Sequence, residues 1–222
     1  MSFFLHLEDW RGWHASEAVV IHEPDHRISA QPGSDLPAML RRRLDDAGRA
    51  TCEILKALDP DAELPLIYAS RHGNTPQTLS MLEALANNEP LSPTRFSMSV
   101  HNASLGIYSI ACAHHRPLQA LGACGDEFDA ILHEARGYLA AGYHAVVAVL
   151  AESPLAAAYQ GHTEHPGSAC AVGIRLSLNR GQQLMATQCP DNGAPTPAEV
   201  IAWLNGDTPS LSGRQQWQLK AE

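Results

Sequence analysis

Residues 145–151 read AVVAVLA, an unbroken apolar run with no charge. A strand can carry such a run only where both of its faces are covered, as in a parallel sheet flanked by helices. The residues just upstream have the pattern needed to cover it. Asp126 and Glu127 open an amphipathic helix whose apolar positions are Phe128, Ile131, Leu132, Ala135, Tyr138 and Leu139, the three-four alternation of a half-buried helix. Gly142 ends it, since a left-handed cap suits glycine. Earlier still, Leu105, Ile107, Tyr108, Ile110, Ala111 and Cys112 leave hardly a polar face between residues 100 and 112, which predicts a helix surrounded by protein. Arg116-Pro117 breaks that run, and residues 118–123 form a short apolar segment that reads as a strand. From residue 92 to 152 the order is therefore helix, strand, sharp turn, helix and buried strand.

The rest of the chain continues the alternation. Residues 3–7 are a plausible opening strand, followed by Trp10-Arg11-Gly12-Trp13, aromatics that pack a loop onto the core. Residues 22–35, rich in His, Asp, Pro and Gly, read as loop. Residues 36–58 carry Leu36, Met39, Leu40, Leu44, Ala47, Thr51, Ile54, Leu55 and Leu58 at helical spacing, predicting one long helix with Arg41-Arg42-Arg43 on its solvated side. Residues 64–70 read as a strand. Asn74-Thr75-Pro76 caps a helix reaching about Asn87, with Leu79, Leu82, Leu85 and Ala86 expected to be buried. Beyond Glu152, residues 170–178 alternate as a half-exposed strand, and a second short strand lies around residues 184–187. Thr196-Pro197-Ala198-Glu199 is a capping box opening a helix with Val200, Ile201, Trp203 and Leu204. Trp217 and Leu219 suggest a last strand. The fold class expected is α/β, a mixed sheet with helices on both faces, in a single domain spanning residues 1–222.

Composition narrows the functions. The formal net charge of -9 over 222 residues argues against a nucleic-acid binder, which needs a basic surface. Five cysteines without a CxxC pair read as reduced thiols rather than a disulfide framework. The N-terminus has no basic region before Glu8-Asp9, so no signal peptide is expected, and no apolar run nears the roughly 20 residues of a membrane span. These features fit a cytoplasmic protein. Twelve histidines invite a metal, yet neither His114-His115 nor His162-Thr163-Glu164-His165 has the register of a zinc site. No metal and no cofactor is expected.

A strand, a tight turn and a helix N-terminus are where many enzymes place a nucleophile. Here the sequence resembles the N-terminal half of the β-ketoacyl synthases, the thiolase-like condensing enzymes. The resemblance lies in the Ser99-Val100-His101-Asn102-Ala103 opening, the following Gly106, the apolar helix and the break at Pro117. It extends to Ser70-Arg71-His72-Gly73 and the Leu40-Arg41-Arg42-Arg43-Leu44 run, and it is strongest over residues 60–180. In the family the strand ends in a cysteine that takes the acyl chain. An ungapped comparison from Asn102 puts that position on Gly125, with Cys124 one residue early. No His-Gly-Thr-Gly-like segment follows residue 152, so the C-terminal half of a full condensing enzyme, with its catalytic histidines, is missing. The chain is similar to the short, chain-length-factor-type proteins of bacterial polyene (aryl polyene-like) clusters. That resemblance implies a non-catalytic subunit that pairs with a catalytic ketosynthase and meets an acyl carrier protein through the complex. It would shape the partner's acyl tunnel in polyene, polyketide or fatty-acid-like elongation. By position, Met98, Leu105 and Tyr108 are the implied tunnel floor, and Leu118, Ala120 and Leu121 belong to the implied partner strand.

Two stand-alone enzymes compete with this reading. Arg71-His72-Gly73-Asn74-Thr75, after a strand and before a helix, resembles a histidine-phosphatase signature in which His is phosphorylated and Arg clamps phosphate. Such a site needs further Arg and His residues, for which Arg116 and His162 are candidates. Cys124 at a helix N-terminus, where a thiol pKa is lowered, is the candidate nucleophile of a thiol acyltransferase. Cys52, Cys112, Cys170 and Cys189 read as small apolar fillers.

Overall fold

A computed structural model describes residues 4–16, 19–122, 125–165, 167–189 and 193–220. The apolar run becomes β4 (Val146–Glu152), buried at all seven positions. On one side it pairs in parallel with β2 (Leu66–Ala69), which in turn pairs in parallel with β3 (Leu118–Leu121). On the other side it runs antiparallel to β5 (Cys170–Ser177). Antiparallel pairing continues through β1 (His6–His14), β6 (Gln182–Gln188), β8 (Gln215–Leu219) and β7 (Leu211–Ser212). The order across the described sheet is β3-β2-β4-β5-β1-β6-β8-β7, so β3 and β7 are its edges. This is the mixed sheet expected.

Helices cover both faces. One face carries α6 (Glu127–Ala140) and α7 (Pro197–Leu204), whose Phe128, Ile131, Leu132, Val200 and Trp203 pack with Trp217 of β8. Phe128 stands edge-on to both Trp203 and Trp217. The other face carries α2 (Asp46–Leu58) and α5 (Ala103–Cys112) over Leu66, Tyr68, Val147, Val149 and Ala171. The capping box at Thr196 forms as read, and Gly142 ends α6 at φ +101.

Several expectations change. Residues 36–58 are not one helix: α1 (Ala38–Arg41) stops, and Asp45, with extended backbone, restarts the chain by accepting the Gly48 N–H at 2.8 Å. Apolar spacing had run on across this cap, and the arginines fall at the break. The opening strand is β1, so Trp10 and Trp13 lie within a strand and are buried on opposite faces of the sheet. β5, expected half exposed, is buried at seven of eight positions, because α2 covers the face left open in that reading. The helix after Asn74, α3 (Thr75–Ala86), has no buried residue, contrary to the burial expected of Leu79, Leu82, Leu85 and Ala86. A short helix, α4 (Pro93–Ser97), follows it, capped by Ser92.

The approach of α2 to the sheet depends on Gly173. A Cβ there would fall inside the contact radius of Ile54 Cγ2 and 3.1 Å from Leu58 Cδ1. Ile54 is fixed by its own β-branching and by complete burial. Gly173→Ala is therefore expected to destabilise the fold by about 1–3 kcal/mol through overpacking, read as a lower midpoint in urea unfolding.

Candidate functional site

The parallel strands β2, β3 and β4 end together, and polar residues come after each of them. β4 finishes on Glu152, a carboxylate only 5% exposed. Its Oε2 accepts from Ser70 Oγ at 3.1 Å and from the His72 N–H at 3.3 Å, and its Oε1 accepts from the Arg71 N–H. The turn after β2 is thereby folded around one side chain. Ser70 Oγ in turn accepts from the Gly73 N–H at 2.9 Å. Gly73 sits at φ +59, and a Cβ on it would lie 3.1 Å from the His101 ring, so the Ser70–Gly73 and Ser99–Ala103 motifs meet in space.

At the start of α6, Asp126 Oδ1 accepts the Asp129 N–H at 2.9 Å, and Oδ2 accepts the Arg214 N–H at 2.6 Å, clasping the turn to the β7–β8 hairpin. Glu127, 1% exposed, receives Arg71 Nε at 3.2 Å and Nη2 at 3.1 Å. Arg71 Nη2 also donates to Ala194 O at 3.1 Å. Above these groups lies a cavity of about 710 Å³ lined by Arg71, His72, Glu127, Glu152, Glu164 and His165 among others. Burial pushes the Glu152 carboxyl up to about 7, three hydrogen-bond donors oppose that shift, and the neighbouring Glu127 charge adds to it.

This arrangement is poorly suited to phosphate. The Arg71 fork is already occupied by a carboxylate, and the cavity presents further carboxylates to an anion. Arg116 pairs instead with Glu63, and His72 Nε2 lies 3.0 Å from Glu164 O. Among the described residues no group of three or more His, Cys, Asp and Glu is placed to hold a metal ion. His114 is buried, with Nε2 2.9 Å from Leu64 O.

A second feature is apolar. Leu82 and Leu85 of α3, Leu91, Phe96 of α4, Val100 and Ile110 of α5 are all exposed, with Phe96 at 62% and Ile110 at 69%. They come from one stretch of sequence, residues 82–110, that precedes the edge strand β3. β3 has one neighbour among the described residues, β2, and Leu118, Ala120 and Leu121 are all partly exposed. Exposed apolar side chains and an open strand edge are each features that another chain can cover.

Residues 10–215 match the family described as "Beta-ketoacyl synthase, N-terminal domain". The chain belongs to that family. Among solved structures, a chain of the complex of the ketosynthase ApeO with its chain length factor ApeC from Xenorhabdus doucetiae superposes with a TM-score of 0.80 at 24% identity, covering 99% of this chain and 100% of that one. The ishigamide ketosynthase/chain length factor gives 0.63 at 12% identity, over 85% and 68%. A β-ketoacyl synthase from Burkholderia phymatum STM815 gives 0.57 at 12% identity, over 94% and 71%. These likenesses establish a thiolase-like ketosynthase fold. Comparison with curated proteins finds no match.

Gly125, the residue on which the ungapped sequence comparison falls, is exposed between β3 and α6 at φ +88. Cys124 lies outside the described residues. The N-terminus of α6, whose dipole would favour an anion, carries Asp126 as its cap and Glu127 as its first residue, both buried. Of the residues implied at a tunnel floor, Met98 is partly exposed and packs against the α2–α5 core. Leu105 and Tyr108, each 1% exposed, turn inward onto that core. The outward positions of the same segment are Val100 and Ile110. Glu152, Glu127 and Asp45 were missed by sequence reasoning; for Glu152 the signal was a lone carboxylate ending an otherwise apolar run.

The sign of the Glu152 shift predicts a pH dependence. A carboxyl raised from 4.5 to about 7 in the folded state contributes stability that is full below its unfolded pKa and is lost as pH rises through 7. The melting temperature is expected to fall between pH 5 and pH 8, by a contribution on the order of 3 kcal/mol at most. Glu152→Gln should flatten that slope in calorimetric melts across the range.

Proposed function

We propose that this chain is a non-catalytic, chain-length-factor-like subunit that heterodimerises with a catalytic β-ketoacyl synthase and shapes its acyl tunnel. The observation that carries this reading is the set of exposed apolar side chains on residues 82–110 together with the open edge of β3, on a chain whose nucleophile position aligns with glycine. A ketosynthase partner and, through the complex, an acyl carrier protein follow from it. The substrates are growing acyl chains of polyene, polyketide or fatty-acid-like type, and aryl polyene synthesis in the cytoplasm is the setting favoured by the Ser70–Gly73 and Ser99–Ala103 motifs. The match to a chain of a ketosynthase–chain length factor complex over nearly its whole length supports the same role. A phosphatase is disfavoured by the Arg71–Glu127 pair.

The tunnel contribution falls to Met98, with Val100 and Ile110 beside it. Leu105 and Tyr108 act from behind, by setting the position of α5. Trimming Met98 to Ala deepens the floor, and each additional buried methylene of an acyl chain is worth about 0.8 kcal/mol. One two-carbon unit then changes partitioning between extension and release by about tenfold. Co-expression with the cognate ketosynthase should give a 1:1 complex by light scattering, while the chain alone self-associates. Products of the Met98→Ala complex should move by at least one elongation step. A monodisperse monomer that ignores every ketosynthase offered would overturn the subunit reading. Unchanged product lengths in an intact complex would remove the tunnel role.

A further inference from the structure

The α3–α4 arm raises a mechanical question. α3 has no buried residue, and the element it packs on most extensively is α4, which has none either. An arm with so little core of its own cannot take its direction from apolar packing. Its polar root must supply it, and that root is held by two carboxylates at the end of β4. Glu152 gathers Ser70 Oγ and the N–H groups of Arg71 and His72. Asp45, at the start of α2, accepts Asn74 Nδ2 at 3.2 Å and Ser153 Oγ at 2.7 Å on the same Oδ2. Asn74 is the cap of α3, its Oδ1 accepting the Gln77 N–H at 3.1 Å. One residue on, Thr75 Oγ1 accepts the Ala156 N–H at 3.1 Å. The first residues of the arm are thus tied to residues 152–156, just past the strand end, by side chains alone.

We propose that Glu152 and Asp45 are positioning residues for partner binding: by fixing residues 70–75 on the end of β4, they set the angle at which α3 and α4 present Leu82, Leu85 and Phe96 to the ketosynthase. This rests on the heterodimer reading and adds to it the source of the arm's orientation. The latch is proton-sensitive. Donors that favour the ionised carboxylate are, by linkage, held more tightly by it, so protonating Glu152 loosens the Ser70–His72 turn. The charged and titratable groups around Glu152 are Glu127 of α6, Arg71 and His72 of the turn, Tyr68 of β2 and Cys170 of β5, with Glu164, His165 and Glu199 of α7 also lining the cavity. Arg71 is neutralised by Glu127, and Tyr68 and Cys170 stay neutral because burial raises both. Partner affinity should then rise with pH through 7, whereas the folding stability of the free chain falls over the same interval. A residue that merely supported the fold would move both in the same sense.

The test has two arms. In the first, the ketosynthase that copurifies with the wild-type chain is titrated with wild type, Glu152→Gln, Glu152→Asp and Asp45→Asn at pH 6, 7 and 8. Wild type is expected to bind several-fold more weakly at pH 6 than at pH 8. Glu152→Gln should lose about tenfold at pH 8 and show a flat profile, Glu152→Asp should recover part of the affinity, and Asp45→Asn should lose affinity at every pH. Affinities within twofold of wild type for both Glu152→Gln and Asp45→Asn, with a flat wild-type profile, would overturn the latch and leave the heterodimer standing. In the second arm, electron–electron distances in the free chain are measured between bioorthogonal spin labels at Glu83 on α3 and Lys220 beyond β8. The distribution should broaden in Glu152→Gln and in wild type at pH 6; an unchanged distribution would overturn the latch even if no ketosynthase bound. Should Glu152→Gln fail to fold, Ser70→Ala, which removes one of the three donors, carries both measurements.

Discussion

Everything in this fold is arranged around the junction of β4 with β5, where a parallel sheet becomes antiparallel. Val149 faces Gly173 across that pair, and the missing side chain at Gly173 lets α2 come down onto the backbone through Ile54. Because α2 sits so close, β4 is buried at every position and β5 at all but Arg175, with an apolar cluster on each side of the sheet. A dry strand must find partners for whatever polar group ends it. At the end of β4 that group is Glu152, and the turn after β2 supplies the donors. Core packing thereby dictates where the polar chemistry of the molecule collects.

The described strand ends lead to an Arg71–Glu127 ion pair and a carboxylate tied to backbone N–H groups. These groups hold one another, and they hold the root of an exposed arm. The apolar residues that a solitary protein would bury are displayed on that arm and on the outer side of α5. The polar end and the apolar face are two ends of one short path through residues 70–75.

Much of this was legible in the sequence because it follows from periodicity or from caps. β4, α6 and the capping box of α7 came from spacing and punctuation, whereas the edge position of residues 118–121 was implied by the family resemblance. What failed did so for tertiary reasons. The α3 leucines have the spacing of a buried helix, and they are covered only if another chain covers them; spacing cannot say which chain. The break at Asp45 was hidden because apolar spacing continued across it. β5 looked half exposed since Gly173 contributes no apolar side chain, though its smallness is what allows α2 to bury the strand. Leu105 and Tyr108 share an almost wholly apolar helix with Ile110, and composition could not tell its inner face from its outer one. Glu152 was passed over because a carboxylate at the end of an apolar run also marks an ordinary return to solvent.

The central claim is that the surface of α3, α4, the outer side of α5 and β3 is made to be covered by a ketosynthase. Hydrogen–deuterium exchange on the chain alone and in its purified complex addresses that directly, since amides near an interface slow on burial. The account predicts slowed exchange over residues 75–112 and along 118–121, with β6, β7 and β8 unchanged. Protection centred on the β7 edge of the sheet, or none over residues 75–112 in a complex shown to be intact, would contradict it.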